Sequence, residues 1–181
     1  MVTVRPAELA DAEQVVRVHV RTWQHAYAGI VPDSVLAALD GQIDERVRRT
    51  RQRWQDPGQF ATVVAVGDTG PIGFATYGPY RIEDGPDGQV DPDVGEVLAI
   101  YVDPDHQWRG AGRALMDAAV AALRQRRMDE VRLWVLEENT PARRFYERYG
   151  LAADGARHVF QVQPPDGAPV DLPEVRYALR L

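Results

Sequence analysis

The stretch that most constrains this chain is residues 100–115, Ile-Tyr-Val-Asp-Pro-Asp-His-Gln-Trp-Arg-Gly-Ala-Gly-Arg-Ala-Leu. An apolar strand pattern runs through a short polar loop into a helical pattern whose first turn carries Gly110 and Gly112. The first N–H groups of a helix have no carbonyl partner within it and point together at whatever lies beyond the terminus. The helix dipole adds about 0.3–1 kcal/mol for an anion when exposed, and up to ~2 kcal/mol when partly buried. Several converging backbone donors matter more than that dipole. Glycine keeps side chains out of their way, and a diphosphate suits such a nest. Arg109 and Arg113 supply charge partners.

Three known loop types compete for this segment. A dinucleotide fingerprint, G-x-G-x-x-G/A, takes Gly110 and Gly112 but meets Leu115 where a small residue must let helix and strand close. A Walker A loop needs Lys, and all 21 basic residues of the chain are Arg. The third pattern, Gln/Arg-x-x-Gly-x-Gly/Ala, fits Arg109-Gly110-Ala111-Gly112-Arg113-Ala114 at every position. A tight left-handed turn at a helix start would use the same glycines.

The missing Lys also removes Schiff-base chemistry, and the absence of Cys removes disulfides and protein thiolates. The formal net charge of −6 argues against a nucleic-acid partner. No signal-like start and no membrane-length apolar run is present, so no membrane is expected and the cytoplasm is the default location. His19, His25, His106 and His158 lack metal-ligand spacing, so no metal is expected.

Along the chain, residues 2–5 read as a strand and 7–27 as a helix with Leu9, Ala12, Val15, Val16, His19, Trp23 and Tyr27 on its apolar face. Asp33 or Ser34 is expected to cap a helix over 35–40. Residues 43–54 form another, its arginines on the solvated face. Strands are expected at 60–66 and 72–77, joined by the turn 67–70, with a loop over 81–93. Strand 96–102, helix 112–126, strand 131–136 and helix 140–149 follow, then strands at 157–162 and 175–181. That order predicts one α/β (α+β) domain over 1–181, a mixed sheet, partly antiparallel and partly parallel, covered by helices.

With its flanks, the loop resembles the pyrophosphate loop of the GCN5-related N-acetyltransferase (GNAT) family. Residues 95–104, Gly-Glu-Val-Leu-Ala-Ile-Tyr-Val-Asp-Pro, are similar to that family's fourth strand, and 139–151 to its second cofactor segment, N-x-x-A-x-x-F-Y-x-x-x-G. The resemblance implies the GNAT acyl-CoA N-acyltransferase fold and acetyl-CoA as co-substrate. It implies a bulge that splays the strand, with backbone at Ile100, Tyr101 and Val102 holding the pantetheine arm. Asn139 would bond that arm, and Tyr146 would protonate the leaving thiolate. The alternative for 139–151 is a plain core stripe, since Ala142, Phe145, Tyr146 and Tyr149 share a helical face.

In a regular strand Glu96 falls in register with Leu98, Ile100 and Val102, an apolar face where a carboxylate needs a reason. It is either the general base or a strand Glu paired with an Arg. Trp23, Tyr27 and Ile30 are candidates for the acceptor pocket, and a packed helix face explains them equally. Acidic residues 83, 84, 87, 91 and 93 form either a lure for cationic acceptors or a solvated turn. A small-molecule amine is the expected acceptor, with a protein N-terminus as the alternative. A homodimer is compatible with this reading, and a non-catalytic acyl-CoA-binding module is the other functional class.

Overall fold

The computed structural model describes residues 2–82, 88–165 and 167–181. Seven strands form one sheet in the order β1-β2-β3-β4-β5-β7-β6. They are β1 (Thr3–Pro6), β2 (Ala61–Gly67), β3 (Gly70–Arg81), β4 (Val90–Val102), β5 (Glu130–Leu136), β6 (Ala152–Val162) and β7 (Val170–Arg180). Neighbours are antiparallel except β4 and β5, which run parallel. The mixed sheet expected from element order is the one observed.

Helices cover both faces. On one face α4 (Ala111–Gln125) buries Leu115, Met116, Ala119 and Leu123 against Val97, Val131 and Leu133, and Tyr146 of α5 (Thr140–Tyr149) joins that core. On the other, α1 (Ala12–Ala26) sends Val15 and Val18 against Val64 and Phe74, and Val16 and Val20 against α2 (Asp33–Ala38) and α3 (Ile43–Gln55). The arginines of α3 face solvent as expected except Arg46, which is half-buried; Arg46 bonds one turn back to Gln42 and Arg49 to Glu45.

Several boundaries differ from expectation, each for a local reason. The helix expected from residue 7 begins at Ala12, after a 3-10 turn over Leu9–Asp11, and Leu9 is exposed. Asp11 accepts from the Glu8 N–H at 2.8 Å and pairs with Arg5 at 2.6 Å, which holds that turn outside the α-helix. Pro32, not Asp33 or Ser34, is the N-cap of α2. The expected loop over 81–93 is shorter, because β3 runs on to Arg81 and β4 starts at Val90, with Tyr80 opposite Asp91. Residues 83, 84 and 87 of that acidic loop lie outside the described residues.

The last two strands also start early. Gly155, at φ +89°, takes up a bulge that lets β6 begin at Ala152. β7 includes Pro173, whose carbonyl accepts from Glu137 just past the Leu136–Glu174 pair that ends β5. With the β5 ladder finished, a missing N–H on that side costs nothing.

The feature that shapes the site is a bulge in β4. Thr76 pairs with Ala99 but Tyr77 pairs with Val97, leaving Leu98 as the extra residue. β4 holds β5 through the three pairs Val94–Glu130, Gly95–Val131 and Glu96–Arg132. Beyond Glu96 the two strands part: β4 continues along β3 to Val102, and β5 along β7 to Leu136. The bulge also changes the phase of β4. Val97 shares the α4 core with Ile100 and Val102, while Ala99 and Tyr101 pack on the α1 side. Glu96, next to Val97, therefore turns to the face of Ala99 and Tyr101, correcting the regular-strand register.

Candidate active site

The parted strands open a cleft of about 910 Å³ through the sheet. Its floor is the free half of β4, from Val97 to Val102. Once β4 has left β5, its outer half is held by β3 and α1. The Trp23 indole donates to the Tyr101 hydroxyl at 3.2 Å, and the Thr22 hydroxyl lies 2.7 Å from Val18 O and 3.2 Å from Val102 O. Gly73 lets β3 come close enough, since a Cβ there would sit 2.8 Å from the Tyr101 carbonyl oxygen.

At one end of the cleft lies the start of α4. Gly110 caps it at φ +87° with no side-chain cap, and the first intrahelical bond is Ala114 N–H to Gly110 O at 3.0 Å. The N–H groups of Ala111, Gly112 and Arg113 precede that bond, so the helix itself gives them no acceptor. A Cβ on Gly112 would make ordinary contacts, with Phe145 at 3.6 Å and Val102 at 3.8 Å, so packing does not demand glycine there. Its bareness serves the space in front of the donors. Gly110, Gly112 and Arg113 line the cleft with Ile100, Tyr101, Val102 and Asn139. Arg109 is exposed beside it, Ala111 is buried in the α4 core and Ala114 is half-buried, so these three take part by backbone or by charge.

Tyr146 reaches the middle of the cleft from α5. Burial, reinforced by the neighbouring Tyr101 hydroxyl, pushes its phenol well above the ordinary tyrosine range, so it stands protonated. Asn139 caps α5 by accepting from Ala142 N–H at 3.3 Å. Tyr149, from the same expected stripe, instead ties the helices together: its hydroxyl donates to Asp117 at 2.8 Å beneath the Arg113 guanidinium.

The other end is an aromatic and acidic wall. Trp23 and Tyr27 line it, whereas Ile30 packs into the core beneath α1 and α2 and does not reach the cleft. Burial, with the nearby Tyr101 and Tyr146 hydroxyls, also holds the Tyr27 phenol protonated. Glu96 is 1% exposed and gripped by Arg81. The Arg81 backbone N–H and Nε donate to one carboxylate oxygen at 3.0 Å each, and Nη2 to the other at 2.7 Å. The pairing with an Arg that the sequence offered as one reading of Glu96 is present. The rest of the wall, Trp134, His158, Phe160 and Glu174, comes from the C-terminal strands and was missed by sequence reasoning.

The family model for the acetyltransferase (GNAT) family matches residues 21–151. The chain belongs to the GNAT family. It is an acetyl-CoA-dependent N-acetyltransferase. An uncharacterized N-acetyltransferase of Bacillus subtilis (strain 168), YuaI, is 34% identical over 151 residues, 82% of this chain and 79% of that one. A mycothiol acetyltransferase of Thermobispora bispora is 37% identical over 109 residues, 60% of this chain and 35% of that protein. The chain thus spans about a third of that relative. In fold, this GNAT chain is similar to PaiA N-acetyltransferase of Thermoplasma acidophilum in complex with coenzyme A, with TM-score 0.73 at 19% identity over 100% of this chain and 99% of that one. YncA of Salmonella typhimurium, solved with acetyl-CoA, gives TM-score 0.64 at 20% identity over 99% of this chain and 93% of that one. Among the described residues no helix is long and apolar enough to cross a membrane.

Proposed function

We propose that this acetyltransferase moves the acetyl group of acetyl-CoA onto the primary amine of a small molecule by direct attack within a ternary complex, as one domain working in the cytoplasm. The observation that carries this is the single cleft joining the unpaired helix donors, the freed strand β4, Tyr146 and the acidic aromatic wall. The residues fit a coenzyme A ester: backbone donors for the diphosphate, strand backbone for the arm, and no nucleophilic side chain required.

The chemistry follows from that order. An amine of pKa near 10.4 is protonated at pH 7, and freeing its lone pair costs about 4–5 kcal/mol. A carboxylate of the wall takes that proton. A β4 backbone N–H between residues 98 and 102 then stabilises the oxyanion as the amine attacks the thioester carbonyl. Tyr146 gives its proton to the departing sulfur and recovers one from the new amide nitrogen, so the C–S bond breaks without a free thiolate.

A small acceptor is supported by the wall of Trp134, His158 and Phe160 at the acceptor end, and by similarity to relatives named for mycothiol rather than for a protein. The test is thiol release from acetyl-CoA with a panel of small amines against N-terminal peptides. Faster turnover of small amines is expected. Turnover of peptides alone overturns the acceptor class, and no turnover without coenzyme A binding overturns the whole proposal.

A further inference from the structure

Two carboxylates face the acceptor end of the cleft, and they differ in what already holds them. Both oxygens of Glu96 accept from Arg81, through three hydrogen bonds. Glu174 sits across the wall on β7. Its hydrogen-bond partner among the described residues is His158, with Oε2 3.3 Å from Nδ1. Its side chain is largely buried, while that of His158 is 43% exposed. Glu174, Tyr101 and Tyr146 line the same cleft. The cleft that holds the hydroxyl serving the sulfur therefore also holds a carboxylate with a route to water.

We propose that Glu174 is the base that takes the proton from the acceptor's ammonium, passing it through His158 to solvent, while Arg81-bound Glu96 shapes the wall. This rests on the acyl-transfer reading above. The balance is complete. The ammonium N–H bond breaks and its proton goes to Glu174. The nitrogen lone pair forms the C–N bond, and the C–S electrons stay on sulfur. Sulfur is protonated by Tyr146, which is reprotonated by the second amine proton. The one proton released overall is the one Glu174 exports.

The surroundings suit the task. Burial pushes the Glu174 carboxyl above its ordinary range, Glu96 adds to this, and His158 and Arg81 oppose it. Tyr101, on β4, lines the same cleft, and Arg176, two residues along β7, is engaged with Asp154 and Tyr80. A base shifted toward neutral pH transfers protons more effectively than an ordinary carboxylate.

The experiment compares Glu174→Gln and Glu96→Gln with the full-length wild type, using phenylethylamine, protonated at neutral pH, and phenylhydrazine, of similar size but unprotonated there. Glu174→Gln is expected to lower kcat with phenylethylamine about 100-fold or more, with phenylhydrazine turnover and acetyl-CoA affinity within about threefold of wild type. Glu174→Asp should give a smaller loss confined to phenylethylamine. Equal loss with both amines, or a phenylethylamine-specific loss in Glu96→Gln instead, overturns the assignment while the acetyltransferase reading stands. If the wild type binds acetyl-CoA but turns over peptides alone, accepting neither these amines nor any of the wider amine panel, the small-amine reading fails and takes the assignment with it.

Discussion

Arg81 closes on Glu96 from two directions, its backbone N–H and its guanidinium both reaching the buried carboxylate at 2.7–3.0 Å. The pair straddles β3 and β4, and Glu96 is the last residue at which β4 still holds β5. It anchors the strand at the point where the sheet opens.

Arg81→Ala leaves that carboxylate buried without its cation. Losing one partner of a buried pair costs about 3–5 kcal/mol. Because the Arg81 side chain is 57% exposed, water screens the pair, and we expect about 2 kcal/mol. Thermal unfolding should show a Tm about 4–8 °C lower. An unchanged Tm would mean the pair does not brace the sheet.

Tyr146→Phe removes one oxygen from the middle of the cleft and leaves the ring packed on Phe145 and Tyr177. If Tyr146 protonates sulfur, kcat should fall roughly 100-fold while acetyl-CoA affinity stays within about twofold. Single-turnover kinetics and calorimetric titration check the two halves separately. Full turnover in the variant would remove Tyr146 from the mechanism.

Trp108 is 82% exposed and holds φ +64°, an unfavourable backbone for so bulky a residue, immediately before the glycine loop. The Arg148 guanidinium lies 5.9 Å from its ring centroid. Strain and exposed aromatic surface at a cleft edge suggest that a ligand covers the ring. Trp108→Ala should weaken acetyl-CoA binding about tenfold with kcat at saturation little changed. Equal affinity would make the ring a bystander.

His19 sits under the wall, edge-on to Tyr101 with ring centroids 4.9 Å apart. Burial, aided by Arg46 and Arg53, holds its imidazole down at about 4. The unfolded chain protonates this histidine near 6.5, the folded one near 4, so its contribution is intact above pH 6.5 and drains away as pH falls toward 4. The loss is on the order of 3 kcal/mol. Denaturant unfolding of the wild type between pH 7 and 4 should show it, and His19→Gln should flatten it. Identical slopes would place the imidazole in contact with water.

That the helix-start residues and Tyr146 share one cleft was legible because their signals are local. Gly110 and Gly112 fall within one turn, and Asn139, Phe145 and Tyr146 lie on one short helix; adjacency in sequence is adjacency in space there. At the aromatic wall Trp23 and Tyr27 were legible on one expected helix, but the residues from the C-terminal strands were not. Trp134, His158 and Glu174 sit on three strands that meet only through the β5-β7-β6 pairing, which pattern cannot specify. The phase of Glu96 was misread for a related reason: a single extra residue, Leu98, reverses the alternation, and the bulge is visible only against the partner strand. Prolines 92 and 173 made strand ends look like loops, because their tolerance depends on which side still has a partner.

Everything rests on where coenzyme A lies. The most direct measurement is a crystal structure of the chain with coenzyme A. Its diphosphate should accept from the N–H groups of residues 111–113, with its sulfur in the gap between β4 and β5 beside Tyr146. A diphosphate seated away from that helix start, or a sulfur outside the gap, would contradict the assignment of every residue in the cleft.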